Sequence, residues 1–140
     1  MTRDQIAAYI GQHFAGDDVA LILAVIEEES SFEPRAFRAD RNGGSFGLMQ
    51  LDVPTARDRG FTGAPDALYD PATNIRFGVA QLNWIADYLK SRSAYSVGSV
   101  IAGYNEGVGN VMRGNPDPRY VARVTEFRRQ WQLRLAGAVQ

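Results

Sequence analysis

The chain has 140 residues, 45% hydrophobic and 22% charged, with a formal net charge of −1, so one soluble domain with its own apolar core is the fitting frame. It holds no cysteine and one histidine, His13, which excludes disulfides and cysteine zinc sites and argues against a histidine metal cage or a Ser-His-Asp triad. The balanced charge gives no footprint for nucleic acid, and no run reaches the ~20 apolar residues that a membrane span needs.

Taken in chain order, Ile6, Ala7, Ile10 and Phe14 predict a first helix ended by Gly16. Asp17 or Asp18 caps a second, which runs through Glu29 and is apolar nearly all round, as a central buried helix is. Residues 35–47 read as a long loop with turn chemistry at Asn42-Gly43-Gly44, and a small hairpin is expected within 38–52. A short helix follows at 55–59. Asp70-Pro71 pairs an N-cap with proline at the first helical position, and Ile75, Val79, Leu82, Ala86 and Leu89 make a long amphipathic stripe. Val97, Val100 and Ile101 suggest a further helix, stopped in the glycine-rich stretch 103–109. Asp117-Pro118 repeats the cap signal before Tyr120, Val124, Phe127 and Trp131 on one helix face. No repeat or linker interrupts the chain. The expectation is a mainly α single domain over residues 1–140.

Charge is unevenly spread. Residues 1–40 carry eight acids against three arginines, and residues 113–140 carry six arginines against two acids. Solvated helix faces are the plain reading of both blocks. The N-terminal MTRDQIAAYIGQHF lacks a signal-peptide core. The chain therefore reads as cytoplasmic as made, as exported by another route, or as trimmed of a targeting segment.

The buried-looking segment 19–26 runs directly into Glu27, Glu28 and Glu29. Acids at a helix C-terminus oppose the macrodipole, so the cluster is a poor device for stability. A solvated helix end is one explanation. The other is that one carboxyl is desolvated, which raises its pKa and suits it to act as a general acid. Glu29 lies over Ile22, Val25 and Ile26, but Glu27 and Glu28 also stack on apolar residues, and periodicity does not choose among the three.

Four segments carry a resemblance. ESSFEP at 29–34 is similar to the Glu-Ser-x-Phe-x-Pro signature of soluble lytic transglycosylases. FGLMQ at 46–50 resembles the Gly-Leu-Met-Gln segment of that family and of goose-type lysozymes. GYNEGVGNV at 103–111 resembles their Tyr-Asn-x-Gly segment, and YVARV at 120–124 their closing helix. The motifs stand in the family's order across residues 18–127. The resemblance implies a lysozyme-like α fold and cleavage of the β-1,4 bond between N-acetylmuramic acid and N-acetylglucosamine in peptidoglycan. It also implies that Glu29 is the catalytic acid.

The resembling families divide over the second half of the reaction. Lytic transglycosylases finish with the sugar's own acetamido and 6-hydroxyl groups and leave a 1,6-anhydro end. Goose-type lysozymes place a water with aspartates. Asp52, two residues after Gln50, and Asp40, ahead of the Gly-Asn turn, resemble those aspartates, and the transglycosylases' loop serine has no match in Phe37-Arg38-Ala39. Against this, ESSFEP and the segment LYDPATNIRFGVAQL at 68–82 are transglycosylase-like. The expectation leans slightly to hydrolysis, with turn and capping chemistry as the alternative role for both aspartates.

Gln50, Tyr104, Asn105, Ser30, Met49 and Tyr120 complete the expected substrate-binding set. Gln50 would orient the acetamido group or Glu29, and Tyr104 would bond Glu29 or the sugar. Tyr120 would be half core and half cleft wall. Ser30 would pack behind Glu29, because no base is at hand to make it a nucleophile. Phe32, Trp84, Phe127 and Trp131 read as core rather than sugar platforms. Arg35, Arg38 and Arg41 read as surface charge, or as partners for the lactyl and peptide carboxylates of the wall. No cofactor or metal is expected. The partner is the peptidoglycan glycan strand, met by a monomer without nucleic acid or stable membrane insertion. The place of action is the periplasm or beyond, as for a phage lysin, a virion wall-piercing domain or a trimmed periplasmic enzyme. A non-catalytic glycan-binding module and a virion-structural helical domain are the readings of other classes.

Overall fold

The computed structural model describes residues 1–138. Seven α-helices appear among them: α1 (Arg3–His13), α2 (Val19–Ser30), α3 (Val53–Asp58), α4 (Pro71–Ser91), α5 (Val97–Glu106), α6 (Val108–Met112) and α7 (Pro118–Ala138). A short 3-10 helix, Pro65–Tyr69, leads into α4. Three two-residue strands complete the fold: β1 (Phe37–Arg38), β2 (Ser45–Phe46) and β3 (Leu51–Asp52). The fold is mainly α, as the sequence predicts. The expected hairpin is an antiparallel sheet of three strands in the order β1-β2-β3.

The caps follow the sequence. Thr2 and Gln5 form a reciprocal capping box on α1. Asp18, rather than Asp17, caps α2 by accepting from the Leu21 amide. Asp70 caps α4 with Pro71 in the first turn. The sequence reading lacked α6 and the 3-10 turn. Gly107, at φ +87°, breaks the helical path between α5 and α6.

Helix α2 is the centre of the molecule, with every residue from Ala20 to Ile26 buried. Around it pack Ile6 and Ile10 of α1, Ile75, Leu82 and Leu89 of α4, Ile101 of α5, and Val124 and Trp131 of α7. A second, smaller apolar cluster joins Phe46 and Leu51 of the sheet to Phe61, Leu68 and Phe77. Trp84 departs from the expectation of a core residue. It is 39% exposed on the outer face of α4, stacked on Tyr88 with the Arg59 guanidinium 4.7 Å from its ring centre. The stripe Ile75-Val79-Leu82-Leu89 turns the opposite face of α4 inward and leaves Trp84 outside.

The segment Leu48-Met49-Gln50 is held by one side chain. Asn74 of α4 is fully buried. It donates to the carbonyls of Phe46 and Leu68, each at 2.8 Å, and accepts from the Met49 amide at 2.8 Å. Buried backbone groups need partners, and the amide supplies one to each of the three. Close packing finishes the seat: a Cβ at Gly78 would strike the Met49 side chain, which fills that space. Asn74→Ala strands three buried backbone groups, and a loss of about 3 kcal/mol or more follows from the cost of unmet buried polar groups. Urea unfolding of the variant beside the native chain measures it.

Candidate active site

Three adjacent glutamates end α2, and each is claimed by a different residue of α7. The Trp131 indole N–H donates to Glu27 at 2.8 Å. Arg123 Nε donates to Glu28 at 2.6 Å. The Tyr120 hydroxyl donates to Glu29 Oε2 at 2.6 Å. Arg128 of α7 also pairs with Asp18 at the other end of α2. The acidic and basic blocks of the sequence are thus not two solvated faces. In part they are the two sides of one helix contact, which also offsets the unfavourable placing of acids at a helix C-terminus.

The chain then turns away sharply. Ser31 and Phe32 are consecutive residues at positive φ, +51° and +63°, a conformation that costs a non-glycine residue energy unless its surroundings hold it. Phe32 is buried, its ring 5.8 Å from that of Trp131. Ser30 Oγ donates back to the Ile26 carbonyl at 3.1 Å, which ties the last helical turn. The Glu29 side chain, 12% exposed, stands at the end of this corner.

The sheet register supplies the opposite wall. Arg38 faces Ser45 across β1–β2, and Ser45 faces Asp52 across β2–β3. Alternate residues of a strand share a face. One row, Arg38-Ser45-Asp52, therefore lines a cleft of about 690 Å³ that Glu29 also lines, and the other row, Phe37-Phe46-Leu51, turns the opposite way, Phe46 and Leu51 into the small apolar cluster. Gln50, Tyr104 and Asn105 complete the cleft. An adjoining hollow of about 360 Å³ extends it past Gln81 and Gly107.

Each expected site residue has a definite place. Asp52 lines the cleft, and its Oδ1 accepts from the Thr55 amide at 2.7 Å as the N-cap of α3. Asp40 also lines it. Its two oxygens accept from the amides of Asn42 and Gly44 and from the Ser45 hydroxyl, bonds that hold its carboxyl below the usual range. Gln50 sits at φ +49° with its Nε2 donating to the carbonyls of Ala36 and Gly47. Asn105 is exposed on the cleft rim.

Three expectations are corrected. Met49 is fully buried, seated against Gly78, so its side chain belongs to the floor and meets no ligand. Tyr104 does not bond Glu29. Its hydroxyl donates to the Met49 carbonyl at 2.6 Å, because α5 places it over the floor, while α7 delivers Tyr120 to the acid. Tyr120 is buried, with 5% exposure, rather than half in the cleft wall. The sequence reading missed Asn74 altogether. Its one signal was a polar residue beside Ile75 on a stripe otherwise made of core residues.

Burial raises the pKa of Glu29 above the ordinary glutamate value. The Tyr120 bond and the Arg38 guanidinium, 3.5 Å away, pull it part of the way back, and the Glu28 charge pushes it up again. Burial also pushes the phenols of Tyr104 and Tyr120 up, and both stay neutral donors. A carboxyl whose pKa burial pushes up, set at the edge of a polar groove, is the arrangement suited to a general acid. Among the described residues no cluster of histidine and carboxylate groups is suited to a metal ion, and no helix is long and apolar enough to cross a membrane.

Comparison with known proteins gives the family. The family model described as the transglycosylase SLT domain matches residues 11–120. The chain is 39% identical over 110 residues to the membrane-bound lytic murein transglycosylase C of Shigella sonnei (strain Ss046), covering 70% of this chain and 29% of that protein. Its fold matches the 70 kDa soluble lytic transglycosylase Slt70 of Escherichia coli, with a TM-score of 0.60, 22% identity and coverage of 89% of this chain and 21% of that one. It also matches an inactive glutamate-to-glutamine mutant of the lytic transglycosylase Slt of Pseudomonas aeruginosa, with a TM-score of 0.59, 25% identity and coverage of 91% and 21%. The chain belongs to the transglycosylase SLT domain family. It spans under a third of the length of each of these relatives.

The sign of the Glu29 titration is fixed by its causes. Its folded pKa lies above the unfolded value, so protonated Glu29 contributes stability that is present below the ordinary glutamate value and is lost as pH rises through the folded pKa. Tyr120→Phe removes a bond that favours the charged form. The Glu29 midpoint, read by carboxyl-carbon NMR, is expected to move further up, with a stability loss of about 1 kcal/mol near neutral pH.

Proposed function

We propose that this chain is a lytic transglycosylase domain that cleaves the β-1,4 bond after N-acetylmuramic acid in peptidoglycan, with Glu29 as acid and then base. The observation that carries the reading is Glu29 itself: a buried carboxyl with a raised pKa, bonded by Tyr120 and open to a polar groove. Family membership supports it, as does the loss of activity in the Pseudomonas enzyme when one glutamate becomes glutamine.

Glu29 gives its proton to the glycosidic oxygen as the C1–O bond breaks. The muramoyl 6-hydroxyl oxygen then bonds C1, and its proton returns to the Glu29 carboxylate. No water is consumed, and the product is a 1,6-anhydro sugar. Tyr120 holds the carboxyl in place through both transfers. Gln50, fixed through its own NH2 group, keeps its amide oxygen available for the substrate acetamido N–H, and Asn105 stands on the rim where the next sugar passes.

The slight lean to hydrolysis is not kept. The relatives are named as transglycosylases, and the two aspartates expected to hold a water are engaged elsewhere, Asp52 as a helix cap and Asp40 as a loop tie. The place of action is the bacterial cell wall.

Glu29→Gln is expected to slow the clearing of purified walls by 10²- to 10⁴-fold, roughly the worth of a positioned acid, in a turbidity assay beside the native chain. Mass spectrometry of the released muropeptides is expected to find products about 18 Da lighter than hydrated ones, since no water is added. Asp52→Asn keeps a side chain that caps helices well. It is expected to retain the anhydro product at a rate within a few-fold of native, whereas a water-placing carboxylate would make it collapse.

A further inference from the structure

Arg38 is the cation that meets Glu29 most directly. Its Nη2 stands 3.5 Å from Glu29 Oε1, yet its side chain is 68% exposed while that of Glu29 is 12% exposed. A guanidinium this open to water gains little from a single carboxylate and is free to change partners. The rest of its surroundings is fixed. Arg38 faces Ser45 in the strand ladder, and Asp40, two residues on, is spent on Asn42, Gly44 and Ser45. Arg41, exposed on the same loop and lining the same cleft, has no ion-pair partner among the described residues. This wall of the cleft therefore presents two cations, neither of them bound to a carboxylate of its own loop.

We propose that Arg38 is the receptor for a carboxylate on the glycan: it holds Glu29 when the groove is empty and transfers to the ligand's carboxylate when the groove fills. The fork of a guanidinium donates two parallel bonds to a carboxylate, and Arg41 adds a second positive charge. The proposal rests on the glycan-cleaving reading for its ligand, a muramic sugar whose lactyl carboxyl is free, as it is on strands stripped of their stem peptides. It adds a consequence for Glu29. The groups facing that carboxyl are Tyr120 from α7, Tyr104 from α5, Arg38 from β1 and Glu28 on its own helix, with Asp52, Asp40 and Arg41 lining the groove beyond. Among the described residues Arg38 is the one cation paired with Glu29. Once it moves to the ligand, burial is opposed only by the Tyr120 bond, and the pKa of Glu29 rises further, which favours its protonated form. An acidic glycan thereby arms its own catalyst, and a neutral one of the same shape does not.

The test uses two monosaccharides with no bond to cut, N-acetylmuramic acid and N-acetylglucosamine, on the native chain, Arg38→Ala and Arg38→Lys. The native chain is expected to bind the acidic sugar about tenfold more tightly, the worth of one charge-assisted hydrogen bond, and only that sugar should raise the Glu29 midpoint in carboxyl-carbon NMR. In Arg38→Ala the midpoint is already raised in the free protein and the preference is gone. Arg38→Lys restores part of each. Thermal melting checks that the variants fold, as an exposed side chain should allow. Equal binding of the two sugars by the native chain, or a preference that survives Arg38→Ala, overturns the proposal. Wall clearing by the native chain is read separately. If it fails while the preference holds, the cleavage reading falls and the carboxylate receptor stands. If it holds while the preference is absent, the reverse is true.

Discussion

The seating of the α2 carboxyl end against α7 is the contact on which the rest of the site depends. An apolar helix ending in three acids is unstable by itself, since the charges repel one another and oppose the helix dipole. Helix α7 resolves the conflict one residue at a time, with an indole for Glu27, a guanidinium for Glu28 and a phenol for Glu29. Position completes the distinction. Glu29 is the one of the three that lines the groove, and burial raises its pKa there.

The groove floor depends on a second, equally compact device. Asn74 serves three buried backbone groups, and its bonds fix the loop that carries Met49 and Gln50. Tyr104 fastens the same loop from above through the Met49 carbonyl. The tyrosines of α5 and α7 thus divide the work, one holding the floor and the other the acid.

The helices were legible because their signals are local. Periodicity, Asp-Pro starts and glycine stops act within a few residues, and α1, α2, α4, α5 and α7 fell where those signals put them. The fate of each glutamate was not local. Its partner lies 104, 95 or 91 positions away, and spacing along one helix carries no trace of it. Only resemblance singled out Glu29. The confusion of Tyr104 with Tyr120 has the same origin: both are tyrosines on cleft-forming helices, and only the packing of α5 against α7 decides which reaches the acid. Asp52 and Asp40 were visible as residues beside the groove, but their competing role, satisfying nearby amides, is the ordinary habit of aspartate in turns. The sheet was half seen. Two-residue strands are too short for alternation to show, so the row Arg38-Ser45-Asp52 emerged only from the register.

The paired left-handed residues Ser31 and Phe32 have a consequence for how the groove can change. They lock the wall that bears the acid into one shape, because Phe32 cannot leave its seat beside Trp131 without releasing the strained turn. The facing wall is built differently, from strands of two residues and a loop tied chiefly by Asp40. The groove is therefore a vice with one fixed jaw and one adjustable jaw. Lengthening, shortening or recharging residues 38–45 would reshape one side of the groove while Glu29 stayed where it is.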